Sequence, residues 1–243
     1  MNKKMVEIII SIVLILAAIC IGIKCWNNRE VEFADGNMAK VIGATIYRKE
    51  VTTEKITYEQ LKTISDLNIA YTGYYKTIKD IEKCKNIESL SMNGNVRKYK
   101  PAYWIAEGKI ERELTYEEVE KLQEELTEIL PKLPKLKSLD LGNLEGCEWT
   151  SVEFLKCCNE LEELDLYSCV ANDYSILKEC KKLKSIYLWN CNISSADDII
   201  GLENIEYITL RNTPLGDEPE EVKKLQEAYP DAVVDVANYE EEE

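Results

Sequence analysis

The segment Leu161-x-x-Leu164-x-Leu166-x-x-Cys169 is followed by Leu183-x-x-Ile186-x-Leu188-x-x-Cys191 and then by Ile205-x-x-Ile208-x-Leu210-x-x-Thr213. These segments begin 22 and 22 residues apart, and a related segment that begins at Leu136 precedes them by 25 residues. An apolar pattern that recurs at a period of roughly 20–29 residues predicts stacked coils that share one core, because a single coil cannot bury its apolar face alone.

Asn, Cys or Thr ends the segments that begin at Ile87, Leu161, Leu183 and Ile205, which makes the pattern a leucine-rich repeat, while the segment from Leu136 ends in Leu144. Earlier copies begin at Ile64 and Ile87, so the array starts by residue 64. We predict an α/β fold, a right-handed leucine-rich repeat solenoid with a short parallel sheet on its concave side. The interval of 49 residues between Ile87 and Leu136 breaks the period and predicts an irregular insertion at about 96–133.

The chain of 243 residues divides into five predicted segments. These are a signal-anchor transmembrane helix at 1–26, a linker and helical N-terminal cap at 27–60, leucine-rich repeats at 61–215, a C-terminal cap at 216–236 and an acidic tail at 237–243.

Local patterns place helices and strands inside these segments. Apolar spacing predicts helices over 35–46, 115–130 and 219–229, the last with Val222, Leu225 and Ala228 inward. Thr57 with Gln60 and Thr115 with Glu118 have the spacing of capping boxes, which begin helices. Strands are predicted at 103–105 and 232–234.

The N-terminus carries an apolar run at residues 5–23, in which Glu7 is the only charged residue. A helix of this length spans about 28 Å, close to the thickness of a bilayer core. Lys3 and Lys4 favour a cytoplasmic N-terminus, which would place the repeats outside a single-pass cell membrane protein. A secretory signal that is cleaved is the alternative, and a lipoprotein signal ending at Cys20 fits less well.

Composition excludes several classes of function. The net charge of −15 argues against nucleic acid partners, whose phosphates would repel the chain. The absence of histidine excludes histidine-based catalysis and zinc–histidine sites. No phosphate-binding loop or metal-ligand spacing occurs, so we predict no enzyme activity, no catalytic residues, no cofactor and no metal.

The nine cysteines follow the repeat rather than a disulfide pattern. Cys169 and Cys191 hold the last position of the repeat, while Cys84, Cys158 and Cys180 precede its first residue by three. Leucine holds that same position in other copies, which favours small buried thiols. Disulfides between neighbouring coils are the alternative in an oxidising compartment.

Side chains alternate in a strand, so residues between the buried leucines line the concave face in columns. The columns are Ser89, Ser138, Glu163, Ser185, Tyr207; Ser91, Asp140, Asp165, Tyr187, Thr209; and Asn93, Gly142, Tyr167, Trp189, Arg211. Tyr, Trp and Arg are enriched in interface hot spots. We therefore predict a partner-binding patch at Asp165, Tyr167, Tyr187, Trp189, Tyr207 and Arg211. Ordinary strand preference for aromatic residues is the alternative, and Asp140 beside Asp165 could also be a solvated acidic stripe, a shared proton or a cation site.

Together with the N-terminal segment, the repeats resemble the internalin-like leucine-rich repeat proteins of Gram-positive bacterial surfaces. Residues 31–38 resemble the start of their helical cap, 56–69 the junction of cap and first repeat, and 225–230 a common ending. The resemblance implies a non-catalytic module that binds a protein or a surface glycan from outside the cell. A structural envelope protein without a specific hot spot is the competing hypothesis.

Overall fold

The protein is described by a computed structural model that covers residues 3–48, 54–69, 75–92, 114–142 and 148–237. Within these ranges, seven short strands form one parallel sheet in which each strand pairs with the next along the chain. The strands are β1 Asp66–Asn68, β2 Ser89–Ser91, β3 Ser138–Asp140, β4 Glu163–Tyr167, β5 Ser185–Trp189, β6 Tyr207–Thr209 and β7 Val233–Asp235. The predicted leucine-rich repeat sheet is confirmed, and the predicted strand at 232–234 lies one residue further on.

One face of this sheet forms the core. The second residue of each of the first six strands is at most 1 % exposed, and these residues pair in register from strand to strand: Leu67, Leu90, Leu139, Leu164, Ile186 and Ile208. Burial of a leucine-sized side chain stabilises a fold by about 1.5–3 kcal/mol, so this ladder is a main source of stability. The 22-residue period therefore corresponds to one strand per coil.

Most coils return to the sheet through a short 3-10 helix. Such turns occur at Lys79–Lys83, Glu153–Cys157, Ser175–Glu179 and Ala196–Asp198. Their apolar side chains pack against the back of the ladder, as Leu155 and Leu177 do at 0 % exposure. A 3-10 turn suits a coil of 22 residues because it closes the return in few residues.

The helices have the following bounds: α1 Lys3–Asn27, α2 Gly36–Tyr47, α3 Tyr58–Leu61, α4 Tyr116–Ile129, α5 Pro214–Asp217 and α6 Pro219–Ala228. Both predicted capping boxes are present, at Thr57 before α3 and at Thr115 before α4. In α6, Leu225 is buried and Val222 half-buried, but the prediction for Ala228 is wrong because its side chain is exposed at the last position of the helix.

The long helix α4 replaces a 3-10 turn and is bonded to the coils on either side. The Glu125 carboxylate accepts hydrogen bonds from the Thr77 hydroxyl and the Ile78 N–H, both at 2.8 Å. The Gln123 side-chain oxygen accepts from the N–H groups of Thr150 and Ser151 at 2.8 and 3.0 Å. These two buried polar side chains join coils that are distant in sequence. The predicted strand at 103–105 lies outside the described residues.

Five cysteines are buried free thiols, as their repeat positions predict: Cys84, Cys158, Cys169, Cys180 and Cys191. Burial raises the pKa of Cys169 to about 11 and that of Cys191 to about 12. A thiol with so high a pKa is a poor nucleophile, because the thiolate is the reactive form. These residues act as small apolar side chains in the core.

The first helix stands apart from this core. Its segment Ile8–Asn27 has a mean hydropathy of 2.8 and no buried residue, so it is long and apolar enough to cross a membrane. The same properties also fit a signal sequence. The chain directly after α1, which was predicted to begin with a linker, is hydrogen-bonded to the residues before α3. The Val31 N–H donates to the Ile56 carbonyl at 2.8 Å.

Candidate recognition surface

The second face of the sheet carries the predicted columns. In β4, Asp165 and Tyr167 alternate with the buried Leu164 and Leu166. The register places Asp165 opposite Tyr187, Tyr167 opposite Trp189 and Ser185 opposite Tyr207. We call the side of the sheet that carries these residues the outward face. Asn93, which was predicted in the third column, lies outside the described residues.

Four aromatic residues lie on neighbouring strands of the outward face. The Tyr187 and Tyr207 rings have centroids 5.4 Å apart and planes at 40°, and all four rings are only partly buried. Tyr167 lies opposite Trp189, and its hydroxyl accepts a hydrogen bond from the Asn190 side chain at 2.8 Å. We call Tyr167, Tyr187, Trp189 and Tyr207 the aromatic patch.

Arg211 borders the aromatic patch and is held in place by the chain itself. Its guanidinium carbon lies 5.0 Å from the centroid of the Trp189 ring, and its Nη2 donates to Asp235 Oδ2 at 2.6 Å. The Arg211 side chain is 16 % exposed. Its predicted role in direct partner contact remains a prediction, while its observed contacts orient Trp189.

Asp235 is a residue of this site that the repeat pattern does not identify. Its carboxylate accepts hydrogen bonds from Arg211 and, at 3.2 Å, from the Tyr207 hydroxyl, and these partners lower its pKa below the usual value. The residue lies opposite Thr209 at the end of β7. Extension of the second column by one further strand would have found it.

Thr209 departs from its predicted outward exposure, since it is 1 % exposed. It pairs with Tyr187 on one side and Asp235 on the other. A small side chain between two larger neighbours is covered by them, so the column is interrupted at β6.

Acidic residues adjoin the aromatic patch on β3 and β4. Asp165 lies opposite Asp140, and its pKa is raised to about 7, first by burial and then by the charges of Asp140 and Glu163. Asp140 accepts hydrogen bonds from the Ser91 hydroxyl at 2.9 Å and the Gly142 N–H at 3.0 Å. Asp165 is therefore partly protonated near neutral pH. Among the residues that the structure describes, no three His, Cys, Asp or Glu side chains form a group suited to a metal ion.

The outward face of β2 and β3 differs from that of β4 to β6. Its residues are Ser89, Ser91, Ser138 and Asp140, which have short side chains. The six predicted site residues thus lie on β4, β5 and β6 and two positions beyond β6. The four aromatic residues and Arg211 have no counterpart of similar size on β2 or β3. Among the residues that the structure describes on β2 to β6, the large outward side chains are on β4 to β6 and at Arg211.

Comparison with solved structures identifies the architecture. The internalin InlF from Listeria monocytogenes superimposes with a TM-score of 0.52 and 18 % identity, over 85 % of this chain and 63 % of that one. Internalin C2 from the same organism gives 0.42 and 19 %, over 84 % and 94 % of the two chains. A leucine-rich repeat protein from Leptospira interrogans gives 0.40 and 23 %, over 74 % and 51 %.

No protein-family model and no curated protein matches the sequence. The likeness to InlF concerns the fold alone, because few residues are identical and this chain spans about 63 % of that protein's length. It agrees with the repeat period, the parallel sheet and the inward ladder, which were derived from this chain itself. The chain has an internalin-like leucine-rich repeat fold.

Proposed function

We propose that the protein is a membrane-anchored, extracellular recognition module that binds a protein or a surface glycan through the aromatic patch. The main support for this proposal is a pair of contacts on the outward face: Tyr187 with Tyr207, and Arg211 with Trp189. Rings that are ordered before binding lose little side-chain entropy when a partner covers them. Tyr and Trp also combine a large apolar surface with a polar group, which suits both proteins and sugars.

The rest of the architecture supports this assignment. We propose that α1 is the anchor, with the N-terminus in the cytoplasm, and that a secreted form results if the helix is removed as a signal. We further propose that the solenoid is right-handed, as parallel crossover connections nearly always are. On this view α2 and α3 cap its first coil and residues 216–236 cap its last, so that neither end of the core meets water.

The proposed activity is binding without catalysis. Burial and the neighbouring carboxylates leave Asp165 able to titrate near neutrality, but its outward neighbour on β5 is a tyrosine. Such a carboxyl suits a hydrogen bond at the edge of a contact surface. We therefore assign Asp165 to the border of the binding surface rather than to acid–base chemistry.

The test is photo-crosslinking of the full chain in native membranes, with identification of the captured molecule. Wild type is compared with Tyr187→Ala/Trp189→Ala, which truncates the aromatic patch, and with Ser89→Ala/Ser138→Ala on the same face. Loss of about 2 kcal/mol or more of binding is the expected cost of a hot-spot truncation. The proposal requires capture by wild type and by the serine variant, and loss by the aromatic variant.

Equal capture by all three proteins would exclude the aromatic patch as the binding surface. It would favour a structural envelope protein whose repeats pack against neighbours without a hot spot. Circular dichroism of each purified variant separates loss of binding from loss of the fold.

A further inference from the structure

The end of α1 is joined to the repeat domain by a side-chain stack. The Arg29 guanidinium carbon lies 3.5 Å from the centroid of the Trp26 ring and 4.6 Å from that of Tyr58. Trp26 is in the last turn of α1, and Tyr58 is the first residue of α3. Arg29 therefore bridges the apolar helix and the first helix of the repeat domain. We call Trp26, Arg29 and Tyr58 the junction.

Backbone hydrogen bonds hold the same two segments together. The Tyr58 N–H donates to the Arg29 carbonyl at 3.3 Å, and Glu30 forms an antiparallel bridge with Thr57. Lys55 pairs with Glu30 at 2.7 Å on the surface beside them. Because residues 29–31 are bonded to 56–58, α1 is followed by an ordered connection rather than by a free spacer.

The junction has the chemistry of a membrane–water interface. Trp and Tyr concentrate at the level of the lipid headgroups, where one end of the ring is apolar and the other meets water. Trp26 lies one residue before the end of the apolar segment and is 60 % exposed. The exposed Arg29 guanidinium lies against both rings, and its N–H groups form a planar fork of donors, the arrangement with which arginine binds phosphate oxygens.

Charge distribution singles out this end of the molecule. The first 29 residues contain four basic side chains and one acidic side chain, a net charge of +3. Because the whole chain carries −15, residues 30–243 carry −18. An anionic membrane surface attracts Lys24 and Arg29 and repels the repeat domain as a whole. The domain should thus touch the lipid at the junction and stand clear of it elsewhere.

We propose that the junction is a lipid-headgroup docking surface, in which Arg29 binds phosphate groups of the outer leaflet and fixes the first coil on the membrane. This inference rests on the proposed anchoring by α1. It also limits the reach of the aromatic patch, because strands spaced by about 4.8 Å place β6 within roughly 24 Å of β1. The partner is then a component of the same membrane or of the layer directly above it.

The experiment uses the full chain in nanodiscs of equal parts phosphatidylglycerol and phosphatidylcholine. A fluorescent amino acid is introduced at Gln226, which is exposed on α6. Energy transfer to acceptor-labelled lipid then reports the distribution of heights, and anisotropy decay reports motion of the domain. Arg29→Gln removes the charge from the junction, and Lys62→Gln removes an exposed, ion-paired charge nearby as the matched control.

Wild type and Lys62→Gln should give one narrow distribution of heights, and Arg29→Gln a broader one with faster segmental motion. Wild type moved into a maltoside micelle, which lacks phosphate, should show the faster motion of Arg29→Gln. Equal distributions for Arg29→Gln and wild type, or slow motion retained in maltoside, would overturn headgroup docking alone. A chain that does not float with the nanodiscs would overturn the anchor and, with it, this inference.

Discussion

The two faces of strands β4 and β5 differ in burial and in how much their residues vary from coil to coil. Inward, Leu164, Leu166, Ile186 and Leu188 are 0 % exposed and nearly interchangeable from coil to coil. The outward residues, by contrast, change along the sheet from the serines of β2 to the rings of β5. The inward face must fit its neighbours along the whole array, whereas an outward residue is constrained by what it contacts outside the core. Differences between coils on the outward face therefore indicate where function lies.

The largest expected effect comes from adjacent residues on opposite faces. Leu188→Asp buries an unpaired carboxylate in the ladder and should lower the free energy of unfolding by about 5 kcal/mol, which equals the whole stability of a marginally stable domain. Trp189→Ala, one residue further on, should cost about 1 kcal/mol because its ring is partly exposed. Urea denaturation followed by circular dichroism checks both. Similar losses for the two variants would show that the assigned faces are wrong.

Asp165 tests the outward face through pH. Because its folded-state pKa of about 7 exceeds the usual value of about 3.9, the native state holds a proton that the unfolded chain has lost. The contribution of Asp165 to stability is fully present below about pH 3.9 and is lost as the pH rises through about 7. Asp165→Asn should therefore stabilise the protein by about 2 kcal/mol at pH 8 and by little at pH 4.

The matched control for Asp165 is Asp231→Asn, which changes an exposed aspartate beyond α6. Denaturant midpoints measured across the pH range should show a stabilisation that grows with pH for Asp165→Asn and a flat difference for the control. A gain for Asp165→Asn that is independent of pH would mean that its charge is not destabilising in the fold.

The edge strand β7 offers a smaller effect. Arg211→Ala removes the 2.6 Å hydrogen bond to Asp235 and the stacking on Trp189, and should cost about 1–2 kcal/mol. Lys223→Ala removes an exposed pair with Glu227 and should cost less than about 0.5 kcal/mol. Thermal melts compare the two. Equal costs would show that the Arg211–Asp235 pair does not hold the end of the sheet.

The smallest expected effect is at the turns that follow β4, β5 and β6. Ser168, Asn190 and Asn212 have φ angles of 52°, 53° and 54° at the same position of successive coils. Asparagine tolerates this left-handed conformation better than serine does. Ser168→Asn should raise the free energy of unfolding by about 0.5 kcal/mol. A calorimetric decrease would indicate that the serine side chain has a role of its own at this turn.

Much of this architecture follows from the repeat period. It predicts the pairing of Leu164 with Ile186 and the buried cysteines, because a fixed coil length brings equal positions together. It also places Tyr187 and Tyr207 on adjacent strands, where their rings meet diagonally between two neighbouring columns. The contacts of Arg211 with Asp235 do not follow from it, since β7 comes after α5 and α6 and outside the repeat. Neither do the bonds that Glu125 makes to Thr77 and Ile78, because they depend on how α4 crosses its neighbours.

The most direct test of the outward face needs no knowledge of the partner. Hydroxyl-radical footprinting compares the oxidation of each aromatic side chain in intact cells with that in the purified full chain. Protection of Tyr187, Trp189 and Tyr207 in cells, with unchanged oxidation of the exposed Tyr116 on α4, is the result predicted for an occupied aromatic patch. Equal oxidation of all four residues in both samples would contradict the claim that the outward face of β4 to β6 is the recognition surface.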